Sequence, residues 1–213
     1  MREICLKCLR PKATCLCSYI EPIDTIIRFV ILIHPMECKK VKNNTGRITH
    51  LSLKNSELIM EESFKENRRV NELISTTSSF ILYPGVESKE IETINSNSKE
   101  KENITIFILD ATWPCSRKML KLSPNLQKLP KISFQTEKKS IYTFKRQPKE
   151  AYLSTIESTQ VVLEKLDKAK IENIQKEKLE NFLNPFKRLV ELQIEYENNP
   201  NLSGYRRKNK KNA

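Results

Sequence analysis

Two apolar runs do most to limit what this chain can become. TIIRFVILI (Thr25 to Ile33) and ITIFILD (Ile104 to Asp110) are β-branched and nearly continuous. A strand with one wet face alternates apolar and polar residues, whereas an unbroken apolar run marks a strand buried on both faces, as in parallel sheets covered by helices. SSFILYPG (Ser78 to Gly85) and KISF (Lys131 to Phe134) add shorter strands. Helical stretches lie between and after them. PCSRKMLKL (Pro114 to Leu122) carries its proline in the first turn, where proline is tolerated. From Thr155 to Asp167, Ile156, Val162, Leu163 and Leu166 fall on one side. A last helix is expected from Ile171 to Tyr196, kinked or split by Asn184-Pro185. Strands alternating with helices predict an α/β fold with a mostly parallel sheet flanked by helices. MECKKVKNNTGRITHLSLKN (Met36 to Asn55) reads as a polar loop ending in a short periodic stretch. ESKEIETINSNSKEKEN (Glu87 to Asn103) reads as a low-complexity surface loop.

CLKCLRPKATCLC (Cys5 to Cys17) holds four of the six cysteines. The N-terminus lacks the apolar region of a signal peptide. No run reaches the roughly 18–20 apolar residues of a membrane span. The protein is therefore expected in the cytoplasm, where thiols stay reduced and a disulfide framework is disfavoured. Cys5 and Cys8 are spaced C-x2-C, Cys15 and Cys17 C-x-C, which suits four thiolates around one Zn²⁺. Four protein ligands leave no position for water, so the ion is expected to be structural, a staple for a segment too small for a core of its own. Cys38 and Cys115 are expected to be small buried hydrophobes. The chain divides accordingly into a zinc-binding segment (1–22), one catalytic domain (23–199) and a basic tail (200–213) expected to be disordered.

Of 213 residues, 38 are Lys or Arg and 26 Asp or Glu, for a net charge of +12. Such an excess favours a polyanionic partner, most simply nucleic acid. An AT-rich genome also enriches lysine, asparagine and isoleucine, so charge alone decides little.

Ligands of parallel sheets bind in the loops beyond the strand C-termini. That rule selects His34-Pro35 onward, Tyr83-Pro84-Gly85, and Asp110 to Pro114. His34 is a general base or a hydrogen-bonded structural residue, and position alone favours the second. Gly46 permits close ligand approach or an unusual dihedral, and Arg47 suits a phosphate or carboxylate. Asp110 ends a buried strand, as a base or an amine-binding carboxylate would, although Asp and Thr also cap helices. Trp113, the only tryptophan, stacks on a base or fills core. Ser154-Thr155 with Glu157 reads as a helix start, while Arg146, in a loop before Pro148, has no such structural explanation.

In this order the cysteine cluster, HPMECKKVKNNTGR, LDATW and RQPKEAYLSTIE resemble the DTW-domain family, named for its Asp-x-Thr-Trp signature, over residues 5–197. Pro114 and Cys115 depart from what is often a polar residue followed by Ala, but keep a helix start and a small side chain. The resemblance implies a tRNA-uridine aminocarboxypropyltransferase, which moves the 3-amino-3-carboxypropyl group of S-adenosylmethionine to N3 of a uridine and releases 5′-methylthioadenosine. It also implies kinship with SPOUT methyltransferases and a C-terminal trefoil knot, lying between the third strand and the helix near Thr155. By motif position, Asp110, Thr112 and Trp113 are expected to be catalytic. His34, Pro35, Glu37, Thr45, Gly46, Arg47, Arg146, Ser154, Thr155 and Glu157 are expected around S-adenosylmethionine, with Tyr83, Pro84 and Gly85 added by the strand-end rule. In that scheme Asp110 takes the N3 proton, Arg47 or Arg146 clamps the methionyl carboxylate, and Glu37 or Glu157 meets its ammonium. The zinc segment and tail are expected to face tRNA, in a monomer or homodimer. The rival readings are a knotted RNA methyltransferase using the same S-adenosylmethionine, and a non-catalytic zinc-containing RNA-binding protein.

Overall fold

The computed structural model describes residues 3–36, 44–94, 103–142 and 153–199. At its centre six strands form one sheet in which every neighbouring pair is parallel. In chain order these are β1 (Arg28–Ile33), β2 (Ser56–Met60), β3 (Ser78–Leu82), β4 (Lys89–Glu90), β5 (Ile104–Asp110) and β6 (Lys131–Ser133). Their order across the sheet is β2-β1-β5-β3-β6-β4.

The two apolar runs are the paired central strands, in register from Arg28 opposite Thr105 to Ile33 opposite Asp110. Their side chains feed two cores, because successive residues of a strand point to opposite faces. Phe29, Ile31, Ile106 and Ile108 join one cluster, and Val30, Leu32 and Phe107 the other. On the first face lie Ile48 of α1 (Thr45–Leu51), Ile156, Val162, Leu163 and Leu166 of α5 (Thr155–Lys168), and Phe186 and Leu189 of α7 (Asn184–Asn198). On the second lie Val70 and Leu73 of α2 (Arg68–Thr76), Met119 of α3 (Trp113–Leu122) and Leu126 of α4 (Pro124–Gln127). Short polar side chains start two helices. Asn44 Oδ1 accepts the Arg47 N–H (2.7 Å) and Asn67 Oδ1 the Val70 N–H (2.9 Å), satisfying donors that a first turn leaves orphaned.

The N-terminal segment is docked on the first face. Leu16 is fully buried in that core, and the turn Cys17–Tyr19 packs on α7.

Several expectations change. Within the stretch Met36–Asn55, expected to be a polar loop with a short periodic end, Thr45–Leu51 form α1, and Ser56–Met60 just beyond it form β2. The polar stretch from Glu87 contributes β4 and a 3-10 turn, Ile91–Thr93, with Ile91 and Ile94 buried. As expected at Asn184-Pro185, the last helix is split, into α6 (Lys176–Asn181) and α7, with Pro185 in the first turn of α7. It also starts later than Ile171. Glu172 is buried there and accepts the backbone N–H groups of Ile26 (3.0 Å) and Ile27 (2.8 Å), tying this turn to the entry of β1. Cys115 is half-buried rather than buried. Cys38 and the tail 200–213 lie outside the described residues, as do residues 143–152 of the region in which the resemblance places a knot. Among the described residues no helix is long and apolar enough to cross a membrane.

Candidate active site and candidate metal centre

The sheet order itself selects a site. From β1 the chain moves outward to β2 through α1 on the first face; from β5 it moves the other way to β6 through α3 and α4 on the second. The crevice between the C-terminal ends of β1 and β5 is therefore a topological switch point, where open α/β sheets bind ligands. Asp110 stands at that point, buried.

Three distant segments meet on Asp110. From the end of β1, the His34 N–H donates to the Asp110 carbonyl (3.2 Å), extending the β1–β5 ladder by one bond. From the start of α5, the Thr155 hydroxyl donates to Asp110 Oδ1 (2.5 Å). From the start of α1, Gly46 lies so close that a Cβ there would sit 2.3 Å from Asp110 Oδ2 and 2.6 Å from its Cγ. No Cβ is tolerated at that distance, and this is the physical reason for glycine here. Gly46→Ala is expected to overpack the contact, costing about 1–3 kcal/mol. Urea unfolding tests this; an alanine variant with a wild-type midpoint would refute the close approach.

His34 is structural in its hydrogen bonding. Its Nδ1 accepts the Met36 N–H (3.2 Å), so the ring proton sits on Nε2, 3.4 Å from Glu62 Oε1. The same Glu62 oxygen takes the Lys118 ammonium at 2.7 Å. Lys118, then His34, hold the Glu62 carboxyl below its ordinary range. The cluster ties the loop after β2 to α3 and to the end of β1. Thr112 is exposed at the start of α3, and Trp113 is half-buried, its ring edge-on to Tyr83 with centroids 6.2 Å apart. Pro84 and Gly85 are exposed, and a Cβ on Gly85 would meet only open space. Pro35 is half-buried beside His34. Thr45 is buried, its carbonyl accepting the Thr49 hydroxyl at 2.8 Å, and Arg47 is half-buried in the first turn of α1.

Ser154 and Glu157 form a capping box on α5. Glu157, buried, accepts from the Ser154 N–H (2.8 Å), the Ser154 hydroxyl (2.6 Å), the Ser140 hydroxyl (2.9 Å) and the Ile141 N–H (2.8 Å). Four internal donors use most of the capacity of a carboxylate. Glu157 thus pins the segment after β6 onto the start of α5, next to the Thr155 that holds Asp110. Glu37, Arg146 and Pro148 lie outside the described residues. Sequence reasoning missed Glu62 and Lys118, which meet His34 only through the folded loops.

Chemically, the switch point offers a buried carboxylate that can take a proton or face a cation, an aromatic pair beside it, and a half-buried arginine on α1.

The N-terminal cysteines meet the demands of a tetrahedral ion. The sulfurs of Cys5, Cys8, Cys15 and Cys17 all lie within 4.8 Å of one another, with Cys5–Cys17 at 3.6 Å and Cys8–Cys15 at 3.7 Å. Four sulfurs about 2.3 Å from one Zn²⁺ sit about 3.8 Å apart. None is in a disulfide. Backbone donors from Cys8 and then Lys7 draw the Cys5 thiol down to about 6, while burial, then hydrogen bonding with Cys5, pushes Cys17 up to about 12. Crowded thiols cannot all ionise without a cation among them, and a metal supplies it. Arg10, whose Nε donates to the Thr14 carbonyl (2.9 Å), places its charge near Cys8 and Cys15 and offsets the negative charge of four thiolates.

The profile of the DTW domain family matches residues 2–194. tRNA-uridine aminocarboxypropyltransferase 2 of Mus musculus is 28% identical over 201 residues, covering 92% of this chain and 65% of that protein. The protein of the same name from Macaca fascicularis is 27% identical over 200 residues with the same coverage. tRNA-uridine aminocarboxypropyltransferase A of Arabidopsis thaliana is 29% identical over 142 residues, 57% of this chain and 52% of that protein. The chain thus spans 65% of the length of the mouse and macaque proteins it matches. No solved structure matches it.

Proposed function

The chain belongs to the DTW-domain family, and on that premise we propose that it transfers the 3-amino-3-carboxypropyl group of S-adenosylmethionine to N3 of a uridine in tRNA. The observation that carries this reading is the convergence of His34, Gly46 and Thr155 on Asp110, which brings three of the four family motifs to one switch point.

The uridine N3–H is weakly acidic and must lose its proton as nitrogen attacks. Asp110 takes that proton, while its charge faces the sulfonium of the bound donor. N3 forms a bond to the methylene γ-carbon of the methionyl group. The γ-carbon–sulfur bond breaks, its electron pair stays on sulfur, and 5′-methylthioadenosine leaves uncharged. All three carbons on a sulfonium are electrophilic, so the site selects by alignment of N3, γ-carbon and sulfur. Arg47 takes the methionyl carboxylate. Trp113 and Tyr83 flank the base or the adenine. Glu157 acts by holding Thr155 and the loop before it in place, and Thr112 starts the helix that carries Trp113. Zn²⁺, held by the four cysteines, is structural in this reading and takes no part in the transfer. The division into zinc segment, catalytic domain and basic tail, the SPOUT kinship with its knot, and a cytoplasmic setting suited to free thiols belong to the same reading.

The test is the by-product. Protein incubated with S-adenosylmethionine and tRNA is expected to release 5′-methylthioadenosine, with aminocarboxypropyluridine appearing in digested tRNA. S-adenosylhomocysteine instead would mean methyl transfer, and failure to bind S-adenosylmethionine at all would leave only RNA binding.

A further inference from the structure

Alongside Trp113 the chain opens a groove of ≈ 310 Å³ lined by Tyr83, Arg117, Leu120, Lys121, Gln127 and Lys131. Its charge is one-sided: three cations and no acid. Among the described residues none of the three is paired with a carboxylate, although Lys118, the neighbour of Arg117, is held by Glu62. Arg117 and Lys121 stand four apart on α3, so they share a side of the helix, where like charges repel. Trp113 precedes Arg117 by the same interval, making a stripe of one aromatic and two cations with about 6 Å of rise per step. Lys131 faces that stripe from the start of β6, and Tyr83, at the end of β3, closes the gap between them, edge-on to Trp113. Gln127 is already committed: its amide donates to the Leu120 and Lys121 carbonyls (2.9 and 3.0 Å) and fixes the end of α3.

We infer that this groove binds the phosphodiester backbone of the RNA strand whose base enters the Asp110 site; the inference rests on the reading above. The chemistry favours RNA over an acidic peptide. A guanidinium forks onto a phosphate, and cations set beside an aromatic face suit a strand of phosphates and bases. The groove volume lies at the bottom of the roughly 300–1,000 Å³ range of ligand pockets, so it takes a short stretch of backbone. The stripe runs from Trp113 outward, so a strand held on Arg117 and Lys121 leads towards the switch point.

The experiment compares the zinc-loaded full chain with a variant carrying Arg117→Ala, Lys121→Ala and Lys131→Ala, and with a control carrying Lys176→Ala, Lys178→Ala and Lys187→Ala. The control loses the same charge from α6 and α7. Binding of unfractionated tRNA is measured between 50 and 200 mM salt. Each lost phosphate contact should make the slope of log affinity against log salt shallower by about 0.7–0.9, so the groove variant should lose about 2–3 units and the control much less. The KM for tRNA should rise while 5′-methylthioadenosine release at saturating tRNA is kept. Lys121→Glu, at an exposed position, serves as a second variant and should weaken tRNA binding on its own. A wild-type slope in the groove variant, or an equal loss in the control, overturns the groove assignment even if transfer is normal. Competition by poly-glutamate as effective as that by RNA overturns the RNA assignment. A slope lost in the groove variant alone, in a protein that releases no 5′-methylthioadenosine, keeps the groove and rejects the transferase reading.

Discussion

Asp110→Asn is expected to fold, to bind tRNA with wild-type affinity, and to release 5′-methylthioadenosine about 10²–10⁴-fold more slowly. The substitution isolates the proton acceptor. Asparagine keeps the length of the side chain and an oxygen that accepts the Thr155 hydroxyl, so the contact between β5 and α5 survives. What goes is the second oxygen, the one lying over Gly46, and with it the charge that, in the proposed mechanism, takes the N3 proton and faces the sulfonium. The comparison with Thr155→Val sharpens the test. Valine leaves the charge on Asp110 but removes the donor on Oδ1, so it should misplace the carboxylate without abolishing its basicity, with a loss of roughly tenfold. Turnover and thermal midpoint measured together separate the two. Wild-type turnover in Asp110→Asn would remove the carboxylate from the proton-transfer role.

The parts of the fold legible in the sequence are those buried on both sides. β1, β5 and the apolar half of β3 announce themselves because, Arg28, Thr105 and Asp110 apart, their residues are apolar. β2 does not: its SELIM residues are half-buried to exposed, as suits an edge strand, and an edge strand lacks the unbroken apolar signal. α1 is seven residues with a glycine inside, and its glycine is set by the proximity of Asp110, not by helix propensity. The final helical region starts late: Glu172, which falls inside the helix expected from Ile171 to Tyr196, instead bonds a strand entry about 145 residues earlier. In the sequence the candidate site showed itself only as motifs in an order that resembles a known family. Its geometry was not, because the meeting of Gly46 and Thr155 on Asp110 depends on the β1–β5 register and on which face each crossover helix takes. The His34, Glu62 and Lys118 cluster has no sequence signature: three loop or helix-surface residues with no common spacing are brought together only by parallel strands ending at one edge.

Cys8→Ser is expected to abolish stoichiometric zinc and to lower the thermal midpoint, while kcat at saturating tRNA stays within a few-fold of wild type. Three thiolates and a hydroxyl bind zinc far more weakly than four thiolates, and in small metallo-domains metal binding is itself folding energy, about 10–16 kcal/mol for structural sites in isolated peptides. Here part of the segment has another anchor. Leu16 is fully buried on the first-face core and the Cys17–Tyr19 turn packs on α7, so loss of the ion should loosen residues 3–15 while this anchor holds. The anchor is worth about 2–5 kcal/mol, the cost of removing a buried leucine side chain. On the proposed mechanism the chemistry is insulated, because the segment rests on α7 and the first face, while Asp110 is held by His34, Gly46 and Thr155. Chelation of the wild-type protein should reproduce the fall in midpoint, and zinc added back should reverse it. Metal analysis, thermal unfolding and kcat on the same preparations decide the matter. A serine variant that retains one zinc per chain would show that the site is not the four-thiolate centre. A metal-free protein with normal stability but no turnover would place the ion in the chemistry and Asp110 in a supporting role.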